Sequence, residues 1–261
     1  MEKYQQLKYK DVLADKNPQM TRDTLFDGKI ICWQHAYGYR FSIDSILVSH
    51  FSDIKQQEKV LDLGAGCGVV GLILMYRHPD KQIHITGYEK QEDLVTLAKK
   101  NSLANHYADN YQIISGDVKK IRENLAPESF SLVICNPPFY AAGTGRTSAG
   151  QESLKARHLT ADGITSFVDA AAYCVKNRGR VVFIYPAERL TELVYSFHEK
   201  QIEPKTMQFF YAYPESSHAS RLVIIEAIKN GGVGLTVLPP CYIYAHKGGP
   251  YSEAVELMYR P

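Results

Sequence analysis

From residue 59 onward, short β-rich runs alternate with longer helical stretches, and that alternation limits the possible folds more than any other feature of the chain. The runs are "KVLDLG" (59–64), "IHITGYE" (83–89), "YQIISGD" (111–117), "SLVICN" (131–136) and "GRVVFIYP" (179–186). Segments such as "CGVVGLILMYRH" and "QEDLVTLAKKNSLAN" separate them. Strands interleaved with helices imply βαβ units and a buried parallel sheet. After Pro186, "AERLTELVYSFHEK" reads as a further helix, then "KTMQFFYAYP" and "SRLVIIEAIKN" as two strands with a short polar connector. Such a connector suits an antiparallel pair, because parallel strands need a longer crossover. The expectation is an α/β fold: a seven-stranded, mostly parallel, doubly wound sheet with an antiparallel terminal hairpin and helices on both faces. Ligands of such sheets sit at the carboxyl ends of the strands.

Upstream, "TLFDGKIICWQHAYGYRFSIDSILVSHF" offers a small hairpin and then a helix over Ile43 to Phe51. No low-complexity linker follows, so residues 1–55 are expected to pack as an N-terminal segment on a main domain of residues 56–261. Composition argues against two classes: 45% hydrophobic and 22% charged residues favour neither disorder nor a membrane protein. No apolar run approaches the roughly 20 residues that span a bilayer. The N-terminus lacks the apolar centre of a signal peptide, which leads to an expected cytoplasmic location. Five widely spaced cysteines show no zinc or redox spacing and read as reduced, buried thiols, so no metal site is expected. A net charge of +2 does not by itself mark a nucleic-acid binder. No heptad stripe or unusual apolar segment speaks to oligomeric state.

"DLGAGCGVVG" starts at a strand end with Asp62 and runs into a helix. Gly64, Gly66 and Gly68 permit a tight turn and close approach of a ligand to the backbone. Glu89, ending the second strand, is placed to accept both ribose hydroxyls of a nucleoside. Asp117, ending the third, is placed to accept from an adenine amine. Taken singly, each acid also reads as a solvated loop residue or a helix cap. A dinucleotide would use the same glycines, but the loop contains no basic residue and Asp62 would repel a pyrophosphate. S-adenosylmethionine fits better, having a sulfonium, an amino group and no phosphate.

With these residues and "NPPF" after the fourth strand, the sequence resembles the class I S-adenosylmethionine-dependent methyltransferases, a Rossmann-like fold, and within them the amino-methyltransferases. Further stretches, "HAYGYRFSIDSILVSHF", "QESLKARH", "SRLVIIEA" and "PYSEAVELMY", resemble the bacterial methyltransferases that modify adenine 37 of a valine tRNA, over about residues 20 to 259. The resemblance implies that Asp44 and its neighbours close over the methionine end of the cofactor; Asp44 also reads as an N-terminal helix cap. The motif's chemistry is plain. An exocyclic adenine amine is a poor nucleophile because its lone pair is delocalised into the ring. The side-chain oxygen of Asn136 and the carbonyl of Pro137 would each accept one amine hydrogen while the nitrogen becomes tetrahedral. Pro137 and Pro138 restrict the backbone, Phe139 offers a face for a splayed-out base, and Tyr140 assists or packs. Cys135, on the strand, should point away from Asn136.

The segment Tyr140–Gly163 reads as a long loop, and long loops in compact domains are usually functional or disordered. It brings Arg146, Lys155, Arg157 and His158 beside the site as candidates for phosphate contacts, with Arg221, His246 and Lys247 extending the surface. The 18 tyrosines fit base stacking weakly. A tRNA anticodon loop suits such a site, since its bases are partly unpaired. The reading is an N6-adenine methyltransferase acting on RNA, most simply adenine 37 of a valine tRNA. Protein glutamine N5-methylation of the release-factor type, methylation of ribosomal RNA or DNA, and a cofactor-binding protein without catalysis stand as alternatives.

Overall fold

The computed structural model describes residues 20–37, 40–138 and 152–260, and for 152–162 the backbone alone. Strands β1 (Met20–Leu25) and β2 (Ile30–His35) form an antiparallel hairpin, followed by helix α1 (Ile43–Phe51). The alternating region then runs β3 (Lys59–Leu63), α2 (Val69–Arg77), β4 (His84–Glu89), α3 (Glu92–Ala104), β5 (Tyr111–Ser115), β6 (Phe130–Cys135), α4 (Glu152–Cys174) and β7 (Val175–Pro186). Helix α5 (Leu190–Glu199), the long strands β8 (Ile202–Tyr211) and β9 (Leu222–Lys229), two-residue strands β10 (Thr236–Val237) and β11 (Cys241–Tyr242), and helix α6 (Glu253–Met258) complete the described chain.

Strand β3 lies at the centre, parallel to β4 on one side and to β6 on the other. The chain winds outward through β4 to β5, then crosses back to lay β6 against the free side of β3. This reversal opens a crevice beyond the carboxyl ends of β3 and β6, where ligands of doubly wound sheets bind. Beyond β6 come parallel β7 and then antiparallel β9 and β8, the expected terminal hairpin. The seven expected strands form the body of the sheet, and β10 and β11 extend it along β8. Those two were not legible as strands because each is two residues long and Pro239 and Pro240 separate them.

Burial alternates along the parallel strands as the pleat requires. Val60, Leu132, Ile134, Val182 and Ile184 face the layer of α1, α2 and α3. Leu61, Val133, Cys135, Val181 and Phe183 face α4 and α5 through Val168, Leu193 and Phe197. Both faces being covered explains why β6 and β7 read as unbroken aliphatic runs. Cys135 is fully buried in the second layer, on the opposite face from Ile134.

The span Tyr140–Gly163 is not one long loop: α4 begins at Glu152 and continues through Gly163. Glu152, Leu154, Lys155, Ala156 and Arg157 are all strong helix formers. Gly163 costs the helix about 1 kcal/mol relative to alanine and does not end it.

The hairpin is fastened to α3 by two asparagines. Asn101 Oδ1 accepts from the N–H of Trp33 (2.7 Å) and its Nδ2 donates to the Trp33 carbonyl (2.9 Å). Asn105 makes the same pair of bonds to Ile31, at 2.8 and 2.7 Å. Four helical residues rise about 6 Å, and two strand residues span about 6.6 Å. The i, i+4 amides on α3 therefore match the i, i+2 backbone groups on the outer edge of β2. Asn101 also donates to the Cys67 carbonyl (2.8 Å), tying the hairpin to the glycine loop.

Among the described residues no helix is long and apolar enough to cross a membrane.

Candidate active site

A cleft at the carboxyl ends of β3 and β6 is lined by Phe41, Ser45, Gly64 to Cys67, Val69, Val70 and Asn136. Its floor is the glycine loop. Gly64, Gly66 and Gly68 have φ of +79°, +58° and +87°, a backbone region that side chains resist. At Gly68 a Cβ would also come within 3.1 Å of the Tyr111 hydroxyl. The loop folds back on β4, with Gly64 and Ala65 both donating to the Tyr88 carbonyl at 2.8 and 3.2 Å.

Asp62 is 2% exposed directly beneath this loop. It accepts from the Tyr111 hydroxyl at 3.2 Å. Burial pushes its carboxyl up to about 7, against the opposing pull of that bond and of the Gly71 N–H. Among the described residues no cation pairs with it. Tyr111 reaches Asp62 only because residue 71 is glycine: a Cβ there would lie 2.2 Å from the Tyr111 ring. The same hydroxyl bonds the Gly68 carbonyl at 3.2 Å. Sequence reasoning missed Tyr111, which lies 49 residues from Asp62 and reads as an ordinary strand residue.

Glu89 is buried and holds the cleft wall together. Its Oε2 accepts from the Gly66 N–H at 3.0 Å, and its Oε1 from the N–H groups of Lys90 and Gln91 at 2.9 Å each. The carboxylate thus faces the glycine loop, with backbone donors already on both oxygens. Asp117 lies further out. It caps the 3-10 turn that follows β5, accepting from the Lys119 N–H at 3.0 Å, and pairs with Lys90 at 2.8 Å. The bond from Lys90, together with that backbone donor, holds its carboxyl below the usual range.

Across the cleft, Ser42 takes the N-cap position of α1, without a side-chain cap bond, and Asp44 sits in the first turn. Burial raises the Asp44 carboxyl, while Ser42 and the charge of Arg221 pull it down. The charge of the exposed Arg221, remote in sequence, is therefore felt at Asp44. Ser45, one residue on, accepts from Asn136 Nδ2 at 3.3 Å. Asn136 Oδ1 is buried and, among the described residues, has no hydrogen-bond partner. An unpaired buried acceptor is costly, and this one belongs to a residue that lines the cleft. Ser45 was not foreseen, because only α1 packing beside β6 puts it there.

Pro137 is buried and Pro138 exposed. Phe139, Tyr140 and Arg146 lie outside the described residues. Lys155, Arg157 and His158 occupy the first turns of α4. All five cysteines are buried and free, and Cys32 and Cys67 bring their sulfurs within 3.9 Å across the hairpin and the glycine loop. Among the described residues no three His, Cys, Asp or Glu side chains gather as a metal site would require.

Cation-free buried acid, positive-φ glycines and an orphaned amide oxygen suit a cationic nucleoside ligand and an amine donor. Solved structures carry the same fold. A protein of Agrobacterium tumefaciens described as a predicted O-methyltransferase superposes with a TM-score of 0.65 at 17% identity, covering 83% of this chain and 94% of that one. An S-adenosylmethionine-dependent O-methyltransferase of Thermotoga maritima gives 0.52 at 16% identity, covering 76% and 69%. The fold is that of a class I methyltransferase. More narrowly, the chain belongs to the Methyltransferase small domain family, whose model matches residues 43–182. S-adenosylmethionine is the methyl donor of this family and fold.

Among curated relatives, the tRNA1(Val) (adenine(37)-N6)-methyltransferase of Shewanella halifaxensis is 26% identical over 231 residues, 85% of this chain and 91% of that protein. The protein of the same name from Pasteurella multocida is 27% identical over 154 residues, 59% and 63% of the two chains.

Proposed function

We propose that the protein transfers a methyl group to the N6 amine of an adenine in RNA, adenine 37 of a valine tRNA being the substrate its relatives' name points to. The observation that carries this reading is the buried Oδ1 of Asn136, a residue that lines the cleft beside the glycine loop; among the described residues this oxygen has no partner. An amide oxygen held ready for a donor suits an amine that must lose electron withdrawal into its ring as it reacts. Ser45 fixes the other end of the amide, so Oδ1 is left as the acceptor.

S-adenosylmethionine supplies an electrophilic methyl carbon on a sulfonium. The chain's own groups do the rest. Asn136 Oδ1 and the Pro137 carbonyl accept the two amine hydrogens and stabilise the positive charge that grows on nitrogen. Gly64, Gly66 and Gly68 let the backbone approach the donor. Glu89 supports that loop through Gly66 and offers its remaining acceptor capacity to the ribose. Asp62 places a carboxylate of raised proton affinity under a cationic ligand, and Asp44 closes the cleft from α1. Asp117 meets the adenine end only by sharing its carboxylate with Lys90. Phe139 stacks on the target base, and Tyr140, Arg146, Lys155, Arg157, His158 and Arg221 meet the RNA. Of the expected N-terminal segment 1–55, residues 1–19 lie outside the described residues, and the hairpin and α1 act as a part packed on the domain of residues 56–261. The protein works in the cytoplasm, where its RNA is found.

The test is incubation with labelled S-adenosylmethionine and, separately, tRNA and ribosomal RNA from a strain lacking the gene, followed by nucleoside analysis. Labelled N6-methyladenosine in tRNA is expected. Label absent from all RNA, with donor binding intact, sinks the RNA reading and redirects the search to a protein amide.

A further inference from the structure

We infer that a stack of three tyrosines, Tyr244 over Tyr251 over Tyr259, is a second contact for the RNA and takes an unpaired base on the exposed face of Tyr244. The inference rests on the RNA reading above and names a surface outside the catalytic cleft.

The stack stands on the same edge of the sheet as the cleft. Strand β8 is antiparallel to β9, as β7 is, so β8 runs with the parallel strands and ends at their carboxyl edge. Strand β11 pairs there, Cys241 opposite Phe210 and Tyr242 opposite Tyr211. The chain continues the pairing beyond the sheet, with Ile243 donating to the Tyr211 carbonyl at 2.9 Å and Tyr244 to that of Ala212 at 2.8 Å. Tyr244 then bridges antiparallel to Tyr251, and Ala245 donates to the Pro250 carbonyl at 3.0 Å. A turn carrying His246 and Lys247 projects between them.

The rings are close to parallel. Tyr244 and Tyr251 lie 5.4 Å apart at 18°, and Tyr251 and Tyr259 lie 5.4 Å apart at 8°. The two inner rings pack against the core layer that contains α1, the helix whose Ser45 holds Asn136. The outer ring is 40% exposed. The stack is therefore anchored at one end and free at the other, and a base added to it needs no side chain to be ordered first.

Charge around the free end suits phosphates. His246 and Lys247 are exposed on the turn, and Gly249 makes room for the histidine, since a Cβ there would lie 2.5 Å from its ring. Arg221 is exposed at the start of β9, its N–H bonded to the carbonyl of Phe210, the residue that faces Cys241. Of the acids nearby, Glu256 is engaged by Arg260 at 4.0 Å, and Glu253 sits in the first turn of α6. Stacked aromatic rings beside exposed cations are the features that hold single-stranded nucleic acid irrespective of sequence.

The experiment is steady-state methylation of tRNA by full-length protein, with donor binding measured in parallel, and the fluorescence of an anticodon stem-loop carrying 2-aminopurine in its loop. Tyr244→Ala is expected to raise KM for tRNA about tenfold, leave kcat and donor affinity near wild type, and reduce quenching of the probe. Tyr244→Phe, which keeps the ring, should restore both. If Tyr244→Ala loses donor binding through misfolding, Tyr244→Leu, which keeps apolar bulk without a π face, decides in its place. An active wild type whose KM and quenching do not change on loss of the ring overturns this inference alone. A wild type that neither binds nor methylates the RNA overturns the RNA reading and this surface with it.

Discussion

Glu58 and Asp62 flank the central strand at its amino and carboxyl ends, and both are almost fully buried. At the amino end every charge is met. Arg180 Nη2 donates to both Glu58 oxygens at 2.9 and 2.8 Å, its Nη1 reaches Glu226 at 3.4 Å, and Ser52 donates to Glu226 at 2.7 Å. At the carboxyl end, among the described residues, Asp62 has only a tyrosine hydroxyl and a backbone N–H, and the Asn136 oxygen at the end of the neighbouring strand has no partner. The same strand thus ends in a closed electrostatic network on one side and in unmet acceptors on the other. The closed end serves the fold. The open end costs the fold some stability and is complementary to a cation and an amine.

The largest effect expected from breaking this contrast falls on the open end. Asn136→Ala should lower kcat by about 10²–10³-fold, with donor affinity retained; donor titration alongside single-turnover assays checks both. Unchanged turnover would remove the assigned mechanism. Next comes the closed end. Glu58→Ala leaves Arg180 with only the longer Glu226 contact and should cost about 3 kcal/mol in urea unfolding, while kcat/KM measured well below the transition stays at the wild-type level.

Asp62→Asn should act with the opposite sign. The folded carboxyl titrates near 7 against an ordinary value of 3.8. Between those pH values the folded state holds a proton that the unfolded state has lost, so wild-type stability should fall as pH rises from about 4 to 7 and then level off. The asparagine variant should lack that slope and be more stable than wild type at pH 8. Donor affinity should behave conversely, strengthening in the wild type as pH rises through 7 and weakening about tenfold in the variant. Stability curves and donor titrations at pH 5 to 9 test both slopes. The smallest effect is expected at Ser45→Ala, which frees one end of the Asn136 amide. A few-fold lower kcat with unchanged KM for the donor, corresponding to about 1 kcal/mol, distinguishes loss of positioning from loss of binding.

Strand ends were the most legible part of the chain. Asp62, Gly64, Glu89 and Asn136 each stand where an aliphatic run meets a polar residue or a glycine, and the doubly wound order sends such positions to one edge. Their partners were not legible. Tyr111 meets Asp62 because Gly71 leaves room, and Ser45 meets Asn136 from 91 residues away. Neither relation has a local pattern. Asp117 shows the limit in another way: the same strand-end position that suits a ligand also suits a cap, and its carboxylate serves the backbone and Lys90. The helical start of α4 was hidden by small and polar residues around it that read as turn signals.

The two asparagines of α3 have a consequence for the order of assembly. Their bonds to β2 span 68 to 74 residues of chain. During synthesis the hairpin emerges well before its anchor exists, and at about 5–20 residues per second the interval is on the order of several seconds. An isolated two-stranded hairpin is marginal in water, so β1 and β2 acquire lasting order only when α3 arrives. Because Asn101 also bonds the Cys67 carbonyl, the moment that captures the hairpin is also the moment that sets the glycine loop.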